Sequence, residues 1–294
     1  MLKKNKKLSE ISIKDVYNYF IDQRYKYRKV VEDFSKLPEK IFEEMDPVFV
    51  VSTGRAGSEL LVKLFKAAGL KSVYHEPQPR MFLGSKMAYE LCVENIEIKK
   101  MVYLNARYDL IKMTYLQNER LIETNNRLTF FLDSLAYLFP RAKFIHLIRH
   151  PGAFVRSGIR RKYYRGNEND DGRMIPLADD PIYNLWDEFN DIEKIGWLWN
   201  ETNSIIEIVK KTMGRERILT VLSENLFSMP DIFQEICRFI DHPELKENKI
   251  ERIIKEPVNL QKQGEFPMWN DWSEYDQNKL RSFTPLGKKY GFWK

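Results

Sequence analysis

The stretch that decides the fold is residues 47–65, which read PVFVVSTGRAGSELLVKLF. Residues 48–51 are a short, continuous apolar run, which is typical of a strand buried on both faces. A turn with two glycines follows, and then an apolar stripe at helical spacing. The stripe consists of Leu60, Leu61, Leu64, Phe65 and Ala68. The order of strand, turn and helix predicts the first unit of an α/β domain.

The rest of the chain repeats this alternation. We predict further strands at 71–74, 101–104, 143–148 and 217–222, and helices over much of 86–99, 126–139, 187–212, 230–240 and 246–255. Strands that alternate with helices imply a mostly parallel sheet with helices on both faces. Such sheets bind their ligands at the carboxyl ends of the strands. We therefore expect the functional site at the turns that follow 48–51 and 143–148.

The N-terminal part of the chain has a different pattern. Residues 9–45 carry apolar and aromatic side chains at helical spacing, with a break at Leu37-Pro38, and they predict two helices. We assign residues 1–45 to an N-terminal helical extension and residues 46–294 to the α/β domain.

The composition is that of a soluble globular protein, with 43% hydrophobic and 31% charged residues. No window approaches 18 consecutive apolar residues, so we expect no transmembrane segment. The basic N-terminus lacks the apolar region of a secretory signal. Cys92 and Cys237 lie far apart within apolar helical patterns. They predict reduced, buried thiols in a cytoplasmic protein.

The charge pattern suits an anionic ligand. The formal net charge is +6, and basic residues are interspersed with acidic ones except at the N-terminus and between 156 and 165. Neither basic segment comes with a recognisable nucleic-acid-binding module, so we expect no nucleic-acid partner. Oligomeric state is not encoded in any pattern of the sequence.

The turn after residues 48–51 has the features of a phosphate-binding loop. Glycines at 54 and 57 allow the backbone to approach an anion, and free N–H groups at the start of the following helix point toward it. Arg55 adds a fixed cation and Ser58 a hydroxyl donor. A plain strand-to-helix turn with a surface arginine is the alternative. A nucleotide-triphosphatase loop is disfavoured, because no Gly-Lys-Ser/Thr follows.

Two motifs together resemble a known family. Thr53-Gly-Arg-Ala-Gly-Ser58, followed by Leu60-Leu61, resembles the 5′-phosphosulfate loop of sulfotransferases that use 3′-phosphoadenosine 5′-phosphosulfate (PAPS). Arg149, with Ser157 eight residues later, resembles the 3′-phosphate site of that family, although His150 occupies a position where aspartate is usual. A guanidinium and a hydroxyl can bind one phosphate together.

The resemblance implies a three-layer, P-loop-like α/β fold with a mostly parallel central sheet and PAPS as co-substrate. Weaker resemblances lie at Trp197 and Asn200, in the segment that contains Glu224, and in the C-terminal tail. The donor-binding residues that it implies are Gly54, Arg55, Ala56, Gly57, Ser58, Glu59, Arg149 and Ser157. Glu59 departs from the family, which usually has an uncharged residue there. A carboxylate that points outward would favour the helix N-terminus, whereas one that points inward would repel the donor.

The chemistry requires no metal ion in principle. Sulfuryl transfer needs in-line positioning, neutralisation of the leaving phosphate and removal of the acceptor proton. We assign Arg55 to charge neutralisation. Glu76-Pro77 resembles the Glu-Pro of carbohydrate-type sulfotransferases, which implies that Glu76 is the catalytic base, with His75 as the alternative. Adjacent residues of a strand point to opposite faces, so we expect only one of the two to reach the site.

Two further segments are candidates for covering the site. Lys262 and Gln263 lie where the family often has a late basic loop over the nucleotide. Residues 162–186 predict a long loop over the cleft that either contacts the acceptor or is simply solvated.

The sequence therefore predicts a PAPS-dependent sulfotransferase. Its acceptor would be a hydroxyl of a carbohydrate, glycolipid or small metabolite. A nucleotide-dependent kinase or triphosphatase of the same fold is one alternative, and a non-catalytic nucleotide-binding module is another.

Overall fold

The computed structural model describes residues 12–14, 16–17, 28–29, 31, 33–91, 95–256 and 264–294. The central element is a sheet of five strands in the order β2-β3-β1-β4-β5, in which every neighbouring pair is parallel. The strands are β1 Val48–Ser52, β2 Val73–His75, β3 Ile122–Thr124, β4 Lys143–Ile148 and β5 Ile218–Leu222. This confirms the predicted α/β class with a parallel central sheet.

Helices flank the sheet and connect its strands. The α-helices of the described residues are Leu37–Glu44, Ser58–Ala67, Phe82–Glu90, Ile96–Leu116, Leu132–Leu138, Pro151–Arg160, Asp191–Met213, Ser223–Leu226, Pro230–Phe239, Glu247–Lys255, Glu274–Phe283 and Leu286–Lys289. Short 3-10 helices occupy Phe34–Lys36, Asn126–Phe131, Asp170–Gly172, Tyr183–Glu188, Arg215–Arg217 and Trp269–Asp271. In this part of the chain no helix is both long and apolar enough to cross a bilayer.

Strand β1 is buried on both faces, as its apolar run predicts. Phe49 and Val51 belong to one hydrophobic core, and Val48 and Val50 belong to a second core on the other face of the sheet. This alternation follows from the twofold side-chain period of a strand. Cys237 is a buried, free thiol in the second core, whereas Cys92 lies outside the described residues. The cytoplasmic location stays a prediction.

The predicted strand at 101–104 is wrong, because these residues lie inside the helix Ile96–Leu116. Buried side chains recur there at every fourth position, at Lys99, Tyr103, Arg107 and Ile111. That spacing is helical, and only the short β-branched and aromatic run imitates a strand. The third strand is instead Ile122–Thr124, which the sequence pattern did not reveal because a glutamate lies at its centre.

Several helix boundaries also differ from the prediction. Residues 86–99 contribute to two helices, Phe82–Glu90 and Ile96–Leu116, and residues 126–139 begin as the 3-10 helix Asn126–Phe131. The predicted break at Leu37-Pro38 falls at the start of a helix, which begins at Leu37 with Pro38 in its first turn, where proline needs no amide partner.

The described part of the N-terminal segment packs on the main domain. Leu37 and Ile41 are buried in the same hydrophobic core as Phe49 of β1. The N-terminal helical region of the prediction is therefore present, and the domain boundary at 45/46 stays a prediction.

Candidate active site

The sheet order places the candidate site between β1 and β4. From β1 the chain runs to β2 on one side of the sheet, and from β4 it runs to β5 on the other side. In open α/β sheets such a reversal opens a crevice at the carboxyl ends of the two strands. Ser52 of β1 pairs with Leu147 of β4, so the turns that follow the two strands start side by side. Both predicted phosphate-binding motifs therefore lie at the same crevice.

The loop between β1 and the helix Ser58–Ala67 is held in shape by hydrogen bonds to its backbone atoms. The Gly54 N–H donates to the Ser52 hydroxyl at 3.0 Å. The Ser223 hydroxyl donates to the Ala56 carbonyl at 2.7 Å, and Nη1 of Arg149 donates to the Arg55 carbonyl at 2.6 Å. Because these carbonyls are bound by groups outside the loop, the loop is organised before any ligand arrives.

The loop backbone has the left-handed geometry that an anion-binding turn requires. The φ angles are +83° at Gly54, +56° at Arg55 and +98° at Gly57. A Cβ atom on Gly57 would lie 2.7 Å from the Phe227 ring, so glycine is required there for space as well as for conformation. Gly57 is the N-cap of the helix Ser58–Ala67, whose first N–H groups have no intrahelical partner. Together these features form a site for a negatively charged group.

Arg55 contains the donor group that fits such a ligand. Its Nε is buried and has no hydrogen-bond partner among the described residues. A buried guanidinium nitrogen is normally paired, because the loss of hydration is otherwise uncompensated. An anion in the loop would supply the missing partner.

Arg149 lies directly after β4 and is positioned by neighbours from distant parts of the chain. Nε1 of Trp199 donates to the Arg149 carbonyl at 2.9 Å. Burial lowers the pKa of the Arg149 guanidinium, which remains protonated because arginine starts from so high a value. Ser157 is buried in the helix Pro151–Arg160, which follows directly. The side chains of Arg149 and Ser157 line the same cavity as Arg55. The structure thus brings together the arginine and serine that the sequence pairs by spacing.

His150 serves as a helix cap. Its Nδ1 accepts the Gly152 N–H at 3.0 Å, at the start of the helix Pro151–Arg160. The ring packs against Trp269, Phe292 and Trp293 at centroid distances of 5.1 to 5.6 Å. Burial and the Arg149 charge lower the pKa of His150 to about 4, so the ring is neutral and Nδ1 can accept. Histidine therefore supplies the N-cap acceptor at this position, where aspartate would also be a favourable N-cap residue.

His75 and Glu76 both line the cavity, so the expectation that only one would reach it is wrong. Strand β2 ends at His75, and Glu76 has a φ of +41°. The backbone turn breaks the alternation that would have sent the two side chains to opposite faces. Nδ1 of His75 bonds with the Thr124 hydroxyl at 2.8 Å, and its Nε2 lies 3.7 Å from Oε1 of Glu59. Glu59 therefore points inward, beside His75.

The Glu76 carboxylate forms an ion pair that the sequence did not predict. Nη1 of Arg127 donates to its Oε2 at 2.9 Å. The Arg127 guanidinium also stacks on Phe82, 3.7 Å from the ring centroid. Arg127 follows β3, and because that strand was missed from sequence, its arginine was missed too.

The cavity at this crevice measures about 520 Å³ and is strongly basic. Two carboxylates, Glu59 and Glu76, line it. Its arginines number eight: Arg55, Arg80, Arg127, Arg149, Arg156, Arg160, Arg161 and Arg173. The predicted loop at 162–186 contributes Tyr163, Asn167 and Arg173, so this segment does lie at the cavity.

The remaining predicted residues lie in different parts of the structure. Oδ1 of Asn200 accepts the Leu286 N–H at 3.1 Å, which ties the helix Asp191–Met213 to the C-terminal segment. The Glu224 carboxylate accepts the His150 N–H at 2.9 Å. Lys262 and Gln263 lie outside the described residues.

Comparison with known proteins finds likenesses in solved structures only. No protein-family model matches the chain, and neither does any curated protein. A sulfotransferase domain from the curacin biosynthetic pathway is 17% identical, covering 70% of this chain and 77% of its own, with a TM-score of 0.47. A sulfotransferase domain from the olefin synthase of Synechococcus is 20% identical over 81% of this chain and 88% of its own, with a TM-score of 0.43.

A third similar structure is a mouse sulfotransferase complexed with PAP. It is 14% identical, covering 89% of this chain and 94% of its own, with a TM-score of 0.47. At these identities the likeness concerns the fold, and none of the three structures identifies a reaction for this chain.

Proposed function

We propose that this chain is a sulfotransferase that moves a sulfuryl group from PAPS to an acceptor hydroxyl. One observation carries the proposal: two separate anion-binding motifs, after β1 and after β4, open into one arginine-lined cavity. A donor with phosphate groups at two separated positions matches two such motifs. A nucleoside triphosphate, whose phosphates are contiguous, matches them less well.

The residues divide into two donor-binding groups. The 5′-phosphosulfate would be held by the loop Gly54–Ser58, with Arg55 Nε supplying a buried donor. The 3′-phosphate would be held by Arg149 and Ser157. Glu59 lies at the start of the helix beside His75, and a nearby arginine, Arg161, offsets its charge.

The reaction needs one group that neutralises charge and one that accepts a proton. When the donor is bound, an acceptor oxygen bonds to sulfur while the bond from sulfur to the bridging phosphate oxygen breaks, leaving its electron pair on the phosphate. We assign Arg55 to stabilising the charge that develops there. We assign Glu76 to accepting the acceptor's hydroxyl proton, with Arg127 orienting its carboxylate. His75 is the second candidate base, since Thr124 holds its ring within the cavity.

Nucleotide binding tests the proposal directly. We expect calorimetry to show that adenosine 3′,5′-bisphosphate (PAP) binds more tightly than ATP with Mg²⁺. Arg149→Ala should weaken PAP binding by about ten- to hundredfold, because it removes charge-assisted hydrogen bonds. Arg252→Ala, on an exposed helical face away from the cavity, is the matched control and should bind as the wild type does.

The outcomes separate the alternatives. Tighter binding of Mg²⁺–ATP would favour a kinase or triphosphatase, and absence of PAP binding would contradict the proposal. Transfer of radiolabelled sulfate from PAPS to a panel of hydroxyl acceptors tests the enzyme activity. PAP binding without transfer to any acceptor would favour a non-catalytic nucleotide-binding module.

A further inference from the structure

Four of the eight arginines in the cavity form two groups that follow different strands of the sheet. Arg55 and Arg149 follow β1 and β4, where the donor phosphates are proposed to bind. Arg80 and Arg127 follow β2 and β3, on the opposite side of β1 from β4. The proposed donor site therefore leaves a second set of cations unused.

A third arginine, Arg173, lies in a segment that packs beside the second group. Arg127 stacks on the Phe82 ring. A Cβ atom added to Gly172 would lie 2.9 Å from Cβ of Phe82, so the segment that leads into Arg173 packs directly on the same residue. Arg173 lies 3.5 Å from the centroid of the Tyr163 ring. We call Arg80, Arg127 and Arg173 the acceptor-side arginines.

These side chains keep hydrogen-bond donors for a ligand. Arg127 uses Nη1 for Glu76, and Arg173 uses Nε for Asp170 at 2.7 Å. A guanidinium has five N–H donors, so one ion pair does not saturate either group. Arg80 is exposed at the cavity edge, and its side chain forms no ion pair with any described residue.

The lining of the cavity carries an excess of positive charge. Eight arginines against two glutamates leave a formal charge of +6 on the lining, which the pairing of Arg173 with Asp170 reduces to +5 and the Glu224 carboxylate near Arg149 to +4. A phosphate monoester carries about −2, and a donor with one such group and a phosphosulfate carries about −4 in total. The net charge is therefore matched by the donor, and the case for an acidic acceptor rests on the position of the acceptor-side arginines, away from the donor-binding motifs.

We infer that the acceptor is itself an anion, a hydroxyl compound whose carboxylate, sulfate or phosphate group binds the acceptor-side arginines. This inference rests on the proposed function and deepens it. Phe82 and Phe130 line the same cavity and add apolar surface to it. Because Arg127 also holds Glu76, an acid bound at Arg127 brings the rest of the molecule beside the proposed base.

Matched pairs of probes test the inference. PAP-saturated protein is titrated with glucuronate and glucose, and with 4-hydroxybenzoate and 4-hydroxybenzyl alcohol. We expect the acidic member of at least one pair to bind about ten- to hundredfold more tightly than its neutral partner, as for charge-assisted hydrogen bonds. If neither acid binds more tightly than its neutral partner, the inference is overturned.

A variant separates acceptor recognition from donor recognition. Arg80→Gln should reduce the preference for the acid by about three- to tenfold while leaving the affinity for PAP unchanged. Arg252→Gln, an exposed arginine on the helix Glu247–Lys255, is the matched control and should alter neither quantity. An unchanged preference in Arg80→Gln, or a loss of PAP affinity instead, would overturn the assignment of this arginine to the acceptor.

Failure of the proposed function gives a different result. In that case wild-type protein either fails to bind PAP or binds it without transferring a sulfuryl group to any acceptor, whatever the probes do. The same acid and neutral pairs, titrated without PAP, would then show whether the acceptor-side arginines still select an anion.

Discussion

The two halves of the candidate site are built in different ways. Between β1 and β4, each functional group belongs to a continuous strand, loop and helix, as in residues 48–67 and 143–160. Between β2 and β3, the groups are held by pairs that are far apart in the chain, such as Arg127 with Glu76. The first half illustrates local chain geometry, and the second illustrates side-chain pairing that only the folded chain can provide.

The second half depends on a network of polar contacts that starts in the protein core. Arg107 and Glu123 form a fully buried ion pair, with Nε of Arg107 3.0 Å from Oε1 of Glu123. Nδ2 of Asn125 donates to the same Glu123 oxygen at 3.0 Å, and its Oδ1 accepts the Arg127 N–H at 3.1 Å. Arg127 then binds Glu76. The candidate base is therefore connected to a buried charge by four consecutive contacts.

The largest expected effect is on catalysis in the β2–β3 half. Glu76→Gln removes the proposed base and keeps its shape, so we expect the rate of sulfuryl transfer to fall by about 10²- to 10⁴-fold. PAP affinity, measured by calorimetry, should stay unchanged because the donor site lies after β1 and β4. If His75→Asn causes the larger loss instead, the histidine is the base.

The next largest effect is on folding. Glu123→Leu leaves Arg107 charged and buried without its partner, and we expect the free energy of unfolding in urea to fall by about 3–5 kcal/mol. Combining it with Arg107→Met removes both charges and should recover most of the loss. A single variant as stable as the wild type would show that the buried pair does not hold this half together.

A pH titration sharpens the comparison from the β1–β4 side. The pKa of folded His150 is about 4, below the value of 6.5 for an unperturbed histidine. The unfolded chain therefore binds the proton first as the pH falls. His150 therefore stabilises the folded protein fully above pH 6.5. As the pH falls from 6.5 to 4, the free energy of unfolding decreases by about 1.4 kcal/mol per pH unit.

The variant His150→Asn isolates this contribution. Asparagine keeps an acceptor for the Gly152 N–H but does not titrate, so its free energy of unfolding should fall less than that of the wild type between pH 6.5 and pH 5. The difference should be about 2 kcal/mol. His146, whose pKa burial lowers to about 3, titrates in both proteins and cancels from the comparison. Equal pH dependence in the two proteins would contradict a neutral cap at 150.

The smallest expected effect concerns the backbone of the phosphate loop. Gly57→Ala should destabilise the protein by about 1–2 kcal/mol and weaken PAP binding severalfold, because alanine is strained at this positive φ and its Cβ would press on the Phe227 ring. Gly69→Ala is the control, since Gly69 has a φ of +96° and no atom within 4 Å of the added Cβ. Its cost should be the strain alone. A Gly57→Ala cost no larger than the control would show that the contact with Phe227 yields freely.

Much of the β1–β4 half was predictable from sequence because its information is contiguous. The buried run at 48–51, the glycines that follow it and the helical stripe from Leu60 onward specify each other over short distances. Arg149 and Ser157 are likewise placed by one strand end and two turns of helix. Each motif is specified within one short segment of the chain, and the predicted residues of this half line one cavity, except for Ala56, which is buried.

The β2–β3 half was decided by tertiary structure. A glutamate in the middle of a short run does not read as a buried strand, and Glu123 is tolerated there only because Arg107 reaches it from a helix. The turn at Glu76, with its positive φ, brings two adjacent side chains into the cavity where strand alternation predicted one. The sequence by itself determined the parallel α/β class and the two phosphate-binding motifs, since these are local patterns. Only the folded chain determined which charges meet, because residues such as Arg127 and Glu76 pair across 51 positions.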